Sequence, residues 1–208
     1  MVAAERQLVH WRQKVFEIYA KVRILAQDEP ASAWRFWLAE RSRLYSVHSM
    51  SPVAQSERET FAGLNTYAYD QSLRFVTDIK SATGERVRYE LGVDGSLTVE
   101  PFAETTELKA ALGSELTLYR LIGYAGGMFL PFKDLTSGKD TYGGGRYLFD
   151  TIKGADLGTD NSGRLIVDFN FAYSPSCAWS HQFVCPLAPV KNMLSIAIEA
   201  GEKRPPAN

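Results

Sequence analysis

The spacing of apolar residues changes near residue 60, and no other feature of the sequence constrains the fold as strongly. Before that point, apolar residues recur every three or four positions, which is the period of an amphipathic helix. After it, they alternate with polar residues, which is the period of a strand with one buried face. The sequence therefore predicts a helical N-terminal part followed by a β-rich body.

Two helices are predicted in the N-terminal part. The second should follow Pro30, because proline is tolerated in the first turn of a helix, and it should run over about residues 31–44. Its predicted buried side contains Trp34, Trp37, Leu38 and Tyr45. The first helix should bury a single stripe, against the body or against a second copy, made of Leu8, Trp11, Val15, Ile18, Val22 and Leu25.

The β-rich body is marked most clearly by a predicted hairpin. Residues 87–91 and 97–99 alternate in polarity on either side of a turn at Asp94 and Gly95. Because no long helical pattern separates the predicted strands, parallel crossover connections are not expected. The other predicted strands cover residues 67–79, 116–122, 128–133, 146–150, 164–171 and 194–199. The expected fold is mainly β, an antiparallel β barrel or sandwich with an N-terminal pair of α-helices.

The domain organisation follows from these periods and from the breaks between them. Pro52 and the polar segment 55–59 predict a linker over about residues 46–60. We therefore expect a helical arm over residues 1–50 that packs on the body, an antiparallel β domain over residues 51–203 and a disordered tail over residues 204–208.

Composition excludes several classes of partner. A net charge of -1 and a hydrophobic fraction of 45% are typical of a soluble globular protein and predict binding to neither nucleic acid nor membrane. The longest uncharged apolar run, residues 121–132, is too short to cross a bilayer, and the N-terminus lacks a signal-peptide pattern. These features indicate a cytoplasmic protein in which the two cysteines are thiols.

A glycine-rich segment over residues 136–145 invites comparison with nucleotide-binding loops. It lacks the required patterns, since Asp140 follows Lys139 where a P-loop has serine or threonine, and the segment leads into a predicted strand. A tight connection between antiparallel strands is the favoured interpretation. Close approach of a ligand to the glycine backbone is the alternative.

Strand alternation places several charged residues beside apolar ones. Asp134 shares a predicted face with Met128, Leu130 and Phe132, and Arg146 shares one with Leu148, while Asp168 and Asn170 project together. Because a lone buried charge is costly, we predict that Arg146 pairs with Asp134 or Asp168. The cluster is either a structural network or a polar pocket in which Arg146 binds an anionic or carbonyl group.

Cys177 and Cys185 lie in a segment flanked by Pro175 and Pro186. Their spacing about His181 would suit a metal on a helix, but the prolines and the missing fourth ligand argue against zinc. We therefore predict no metal. The two sulfurs are expected to lie close together and to fasten a short loop, as packed thiols or as a disulfide.

The C-terminal motifs resemble the bacterial family catalogued as domain of unknown function 1684. The resemblance is dense over residues 130–203 and looser over residues 31–129. It implies a shared fold and a shared polar cluster, without an established activity. The residues that carry it are 132–148 (FKDLTSGKDTYGGGRYL), 168–178 (DFNFAYSPSCA), 185–189 (CPLAP), Asn192 and 200–203 (AGEK).

These observations support three function hypotheses. The first is a small-molecule binding module with a polar pocket at one end of a barrel. The second is a hydrolase-like enzyme without a cofactor, with Asp134 or Asp168 as acid or base and Arg146 as electrostatic stabiliser. The third is a structural or dimerising interaction protein, whose helical arm would form a homodimer. The candidate pocket residues are Lys133, Asp134, Thr141, Tyr142, Arg146, Asp168, Asn170 and Tyr173.

Overall fold

The structure is a computed structural model that describes residues 2–123 and 126–205. Of the predicted disordered tail, residues 206–208 lie outside the described residues, and the backbone N–H of Arg204 donates to the carbonyl of Asp140 at 2.8 Å. Among the helices of the described chain, none has the length and apolar character needed to span a membrane.

Two antiparallel helices form the N-terminal part, as predicted. Helix α1 spans Val2–Leu25 and α2 spans Pro30–Val47, with proline in the first turn of α2. The stripe on α1 is buried at Val15, Ile18 and Val22 and half-buried at Trp11 and Leu25, but Leu8 is 41% exposed in the isolated chain. Burial of Leu8 against a second copy stays a prediction.

Eight strands follow in the described residues, and all the pairs between them are antiparallel. The predicted hairpin is confirmed, with a single turn of 3-10 helix between β3 and β4. A short helix, α3 (Lys109–Leu112), was not predicted. The strands are β1 (Arg74–Thr77), β2 (Ile79–Ser81), β3 (Val87–Glu90), β4 (Ser96–Thr105), β5 (Thr117–Ile122), β6 (Met128–Phe132), β7 (Arg146–Asp150) and β8 (Leu165–Asp168).

The strands form two sheets in a sandwich-like, mainly β fold. In the larger sheet the order is β2-β4-β5-β6-β7, and β3 also pairs with β4. The smaller sheet pairs β1 with β8. The sandwich prediction is confirmed and the closed barrel is wrong, because β8 pairs with β1 rather than continuing the larger sheet beyond β7.

The larger sheet is covered on both faces. One face packs against the helices, where Trp37 and Val22 of the arm meet Tyr119 and Phe129. The other face packs against the smaller sheet and the C-terminal segment, and here Leu118 and Leu130 meet Val167 and Ile198. Every residue of β7 is consequently buried, so a charged residue on this strand needs a partner inside the protein.

Three predicted strands differ from the structure. The strand predicted over residues 67–79 begins only at Arg74 and ends at Thr77, because the Asp70 side chain accepts the backbone N–H of Ser72 and starts a 3-10 turn over Gln71–Leu73. The strand predicted over residues 164–171 ends at Asp168, because the Asp168 carboxylate accepts the backbone N–H of Asn170 and starts a 3-10 turn over Phe169–Phe171.

Residues 194–199 form no strand. This segment is buried at Leu194 and Ile198. The Ile198 carbonyl accepts from the buried Arg146 guanidinium, and Leu194 and Ile196 bond to the backbone of residues 133 and 135, which lie beyond the end of β6.

Candidate functional site

A groove of about 940 Å³ opens between three loops. One loop follows α2, another is the glycine-rich connection between β6 and β7, and the last contains Cys177. Three aromatic rings line the groove, those of Phe61, Tyr142 and Trp179. The other lining residues are Val53, Ala54, Glu57, Thr60, Ala62, Gly63, Gly138, Thr141, Gly143, Cys177, Ala178, Ser180, His181, Gln182, Arg204 and Pro205.

The glycine-rich segment is a connection between antiparallel strands, as predicted, because β6 and β7 pair directly. Its last residue, Gly145, has a φ of +93°, and a Cβ atom there would lie 2.5 Å from the carbonyl oxygen of Phe132. Only glycine fits such an approach. The tight return leaves Thr141 and Tyr142 on the wall of the groove.

Arg146 and Asp134 form a fully buried ion pair behind this loop. The Arg146 Nη2 atom lies 2.9 Å from Asp134 Oδ2, and both side chains are 0% exposed. The guanidinium also donates to the carbonyls of Ile198 (2.9 Å), Ala200 and Glu202 (3.3 Å). Burial lowers the pKa of Arg146, and the Asp134 carboxylate opposes that shift. The predicted ion pair is thus confirmed, and Asp134 is the partner.

A chain of hydroxyl groups connects this pair to the groove. Asp134 Oδ1 accepts from the backbone N–H and the hydroxyl of Thr136, at 2.7 and 2.5 Å. The Thr136 and Thr141 hydroxyl oxygens lie 2.9 Å apart. The ion pair therefore supports the wall of the groove through Thr136 without lining the groove itself.

Asp168 and Asn170 lie elsewhere, at the junction of β8 and β1. Asp168 Oδ1 accepts from the Asn170 backbone N–H (3.0 Å) and from Asn170 Nδ2 (2.8 Å). Asn170 in turn exchanges two 2.8 Å bonds with the backbone of Asp70. Burial raises the pKa of Asp168 to about 6, although the bonds from Asn170 and the charge of Arg74 act in the opposite direction. Neither residue lines the groove.

This raised pKa predicts that Asp168→Asn is more stable than the wild type at pH 7. The folded chain binds more protons than the unfolded chain between about pH 4 and pH 6, because the pKa of an unfolded aspartate is about 3.9. The free energy of unfolding attributable to this group therefore falls as pH rises through that window. We expect Asp168→Asn to match the wild type near pH 4 and to exceed it by about 2 kcal/mol at pH 7. Urea denaturation across this pH range measures the difference.

Asp160→Asn is the control of opposite sign. Backbone N–H groups of Ser162 and Arg164 donate to the Asp160 carboxylate, and the donation from Arg164 is the main reason that its pKa is lowered. The ionised Asp160 carboxylate therefore stabilises the folded chain at neutral pH, and this stabilisation is lost as the carboxylate is protonated at lower pH. If the free energy of unfolding of the wild type exceeded that of Asp168→Asn by an amount that grew as pH rises, the raised pKa assigned to Asp168 would be contradicted.

The other two predicted pocket residues do not line the groove. Tyr173 is buried in the core, where its ring lies 4.7 Å from the Arg41 guanidinium carbon. Lys133 is half-buried and holds the C-terminal segment through its backbone, which bonds to Asn192 and Leu194. Of the eight predicted residues, the structure brings Thr141 and Tyr142 to the groove.

The two cysteines lie together, as predicted, and the structure places Tyr142 beside them. The Cys177 backbone N–H donates to Cys185 Sγ at 3.4 Å, and the Tyr142 hydroxyl donates to Cys177 Sγ at 3.5 Å. A hydrogen bond from the Cys185 thiol lowers the pKa of Cys177, and the same bond raises the pKa of Cys185. His181 is exposed, and no group of three or more potential metal ligands occurs within residues 2–123 and 126–205.

Sequence reasoning missed a second buried ion pair and most of the groove. Arg41 of α2 lies 2.7 Å from Glu202, and the two side chains are 9% and 1% exposed. The position of Arg41 one turn from Trp37 and from Tyr45, on the apolar side of α2, was an available signal. Apart from Cys177, the groove residues before 64 and after 176 carried no comparable signal, since only folding brings these loops together.

Comparison with known proteins gives a family without an assigned activity. Residues 59–203 match the family described as a protein of unknown function (DUF1684). Among solved structures, the chain is similar to the solution NMR structure of an uncharacterised protein from Haloarcula marismortui. The two are 31% identical, with a TM-score of 0.55 over 83% of this chain and 92% of that chain. No curated protein matches this chain. Because the matched residues cover more than half of the sequence, the chain belongs to the DUF1684 family.

Proposed function

We propose that this protein binds a small organic molecule in the groove lined by Tyr142, Trp179 and Cys177. The observation that carries the proposal is the groove itself. Its volume of about 940 Å³ lies within the range of known ligand pockets, roughly 300–1,000 Å³. Such sites combine apolar and aromatic walls with a few polar groups, and this groove has both.

The lining indicates the chemistry of the ligand. Phe61, Tyr142 and Trp179 offer aromatic surface to a planar or apolar body. Ser180 and Gln182 supply hydrogen-bonding groups, and Glu57, His181 and Arg204 supply titratable or charged groups. A ligand with a planar body and several hydrogen-bonding substituents fits this distribution.

The position of the buried charges favours binding over the hydrolase-like alternative. A general acid or base must come within hydrogen-bonding reach of the substrate. Asp134 and Arg146 are 0% exposed, they pair with each other, and the Arg146 guanidinium also donates to backbone carbonyls. Asp168 lies outside the groove lining. These residues therefore support the fold around the groove.

A thermal-shift screen with nucleosides, aromatic carboxylates and sugars tests the proposal. A ligand at about 100 times its Kd adds about 2.7 kcal/mol, which raises the Tm of a chain of this size by roughly 5–10 °C. Trp179 lines the groove, so quenching of its fluorescence should give a matching affinity.

Gly143→Leu is the variant that should abolish such binding. Gly143 lines the groove, and a Cβ atom there would meet no atom closer than 3.6 Å, so the side chain can enter the groove without a backbone clash. Ser96→Leu adds the same side chain at an exposed residue of β4 and serves as the control. Equal binding by both variants, or no hit in a screen of the wild type, would contradict the proposal.

A further inference from the structure

We propose that Cys177 and Cys185 form a redox-active dithiol that exchanges with low-molecular-weight disulfides. Cys177 is the attacking thiol and Cys185 is the resolving thiol. The inference goes beyond ligand binding and does not depend on an occupant of the groove. It rests on the hydrogen bond from the Cys177 backbone to the Cys185 sulfur, on the Tyr142 hydroxyl that faces Cys177 and on the unequal access to the two sulfurs.

The two cysteines lie against each other. Cys185 Sγ accepts the backbone N–H of Cys177 at 3.4 Å. Both cysteines are half-buried free thiols. A disulfide between them therefore needs local adjustment only, and not a rearrangement of the fold.

Access differs between the two thiols. Cys177 lines the groove and Cys185 does not. A disulfide that enters the groove meets Cys177 first, beside the Tyr142 hydroxyl at 3.5 Å from its sulfur. Cys185 lies behind Cys177, where it can attack a mixed disulfide formed on its neighbour.

Hydrogen-bond donors favour the thiolate at Cys177. The Cys185 thiol and the Tyr142 hydroxyl both donate to its sulfur and lower its pKa against the effect of burial. The pKa of Cys185 is raised, first by that bond and then by burial. The other titratable groups around the pair are Tyr45 and Tyr147, which face Cys185, Lys153, which favours its thiolate, and His181 in the groove lining.

The loop that contains both cysteines is held by hydrogen bonds at its two ends, and several residues between these ends are exposed. The Ser174 backbone N–H donates to Glu202, and the Tyr147 hydroxyl donates to the carbonyl of Pro186 at 2.5 Å. Between these anchors, His181, Gln182 and Val184 are exposed. The anchors hold the cysteines near each other in both redox states, and the exposed residues can absorb the change in sulfur separation.

The exchange balances with a disulfide as the oxidant. The Cys177 thiolate attacks RS–SR, forms Cys177–S–SR and releases RS⁻. Cys185 loses its proton to solvent, attacks the Cys177 sulfur and expels the second RS⁻. The protein loses two electrons and two protons in forming one disulfide, and RS–SR is reduced to two RSH.

Oxidised glutathione is the probe for this exchange. The reduced full chain is incubated with it near neutral pH, quenched by alkylation and mapped by mass spectrometry. We expect the wild type to form the Cys177–Cys185 disulfide and to retain no glutathione. Cys185→Ser should accumulate a glutathione adduct on Cys177. Cys177→Ser should react with oxidised glutathione at least about tenfold more slowly than Cys185→Ser does.

Three results would overturn the proposal. The wild type could retain glutathione on either cysteine, its thiols could react no faster with oxidised glutathione than those of the denatured chain, or the two serine variants could react at equal rates. If either serine variant fails to fold, the reaction of the wild type with oxidised glutathione is by itself a sufficient test of the proposal.

Tyr142→Phe separates a role in activating Cys177 from a purely structural one. Removing the hydroxyl should raise the pKa of Cys177, which the ultraviolet absorbance of its thiolate reports. For each unit of that rise, exchange should slow about threefold below the pKa and quicken about threefold above it, because a more basic thiolate is scarcer but more nucleophilic. An unchanged pH profile would contradict the assigned role of Tyr142.

Discussion

Replacing Arg146 by methionine is expected to lower the free energy of unfolding by about 3–5 kcal/mol. The substitution leaves the Asp134 carboxylate buried without its cation. It also removes donors from the carbonyls of Ile198, Ala200 and Glu202. Methionine retains a flexible apolar side chain of similar length. The loss of stability is therefore due to the missing guanidinium and not to a large cavity. Guanidinium chloride denaturation measures it.

Arg120→Met is the matched control for this prediction. Arg120 also lies on a strand and pairs with a carboxylate, that of Glu100 at 2.9 Å, but its side chain is 58% exposed. Exposed ion pairs contribute little, so this variant should unfold close to the wild type. Adding Asp134→Asn to Arg146→Met should recover part of the loss, because the double variant has no buried lone charge. Equal stabilities of Arg146→Met and Arg120→Met would contradict the structural role of Arg146.

Arg41→Met is the second change for which we expect a loss of about 3–5 kcal/mol. Its guanidinium donates to Glu202 at 2.7 Å and to the Tyr45 hydroxyl at 2.7 Å, and it lies 4.7 Å from the centre of the Tyr173 ring. Burial acts to lower its pKa, but the charges and hydrogen bond of its partners, above all Glu202 and then Tyr45 and Tyr19, together raise it. Without Arg41, Glu202 would be a buried and unpaired carboxylate joined to the Ser174 backbone.

Arg43→Met is the control on the same helix. Arg43 pairs with Glu40 at 2.6 Å, but its side chain is 64% exposed, so its replacement should change stability little. Glu202→Gln keeps an acceptor for Ser174 and removes the charge. It should destabilise the chain by itself and lessen the further effect of Arg41→Met, since the two substitutions remove one interaction. Additive losses in the double variant would contradict direct coupling between Arg41 and Glu202.

These two buried ion pairs connect the arm, the larger sheet and the C-terminal segment around the groove. Arg146 holds the carbonyls of residues 198–202, and Glu202 in that segment holds both Arg41 and the backbone before the cysteine loop. The groove and the dithiol therefore depend on charges that do not touch them. Binding and exchange experiments on variants of these residues need a parallel measurement of folding.

The sequence by itself determined the elements whose signals are local. The period of apolar residues predicted α1 and α2, and the turn at Asp94 and Gly95 predicted the β3–β4 hairpin. Strand alternation also predicted that Arg146 is buried and paired. It could do so because side-chain direction in a helix or strand follows from the period of that element alone.

Only the tertiary structure decided which buried surfaces meet. Asp134 is the partner of Arg146 because the register of β6 and β7 sets Phe132 opposite Arg146, whereas Asp168 lies on β8 in the other sheet. Residues 194–199 have a strand-like pattern, but the Ile198 carbonyl accepts from Arg146, and the backbone of Leu194 and Ile196 bonds to residues 133 and 135 outside the strands. The groove joins loops from distant parts of the chain. Periodicity reports which side of an element is buried, and the identity of the opposing surface depends on contacts between residues far apart in sequence.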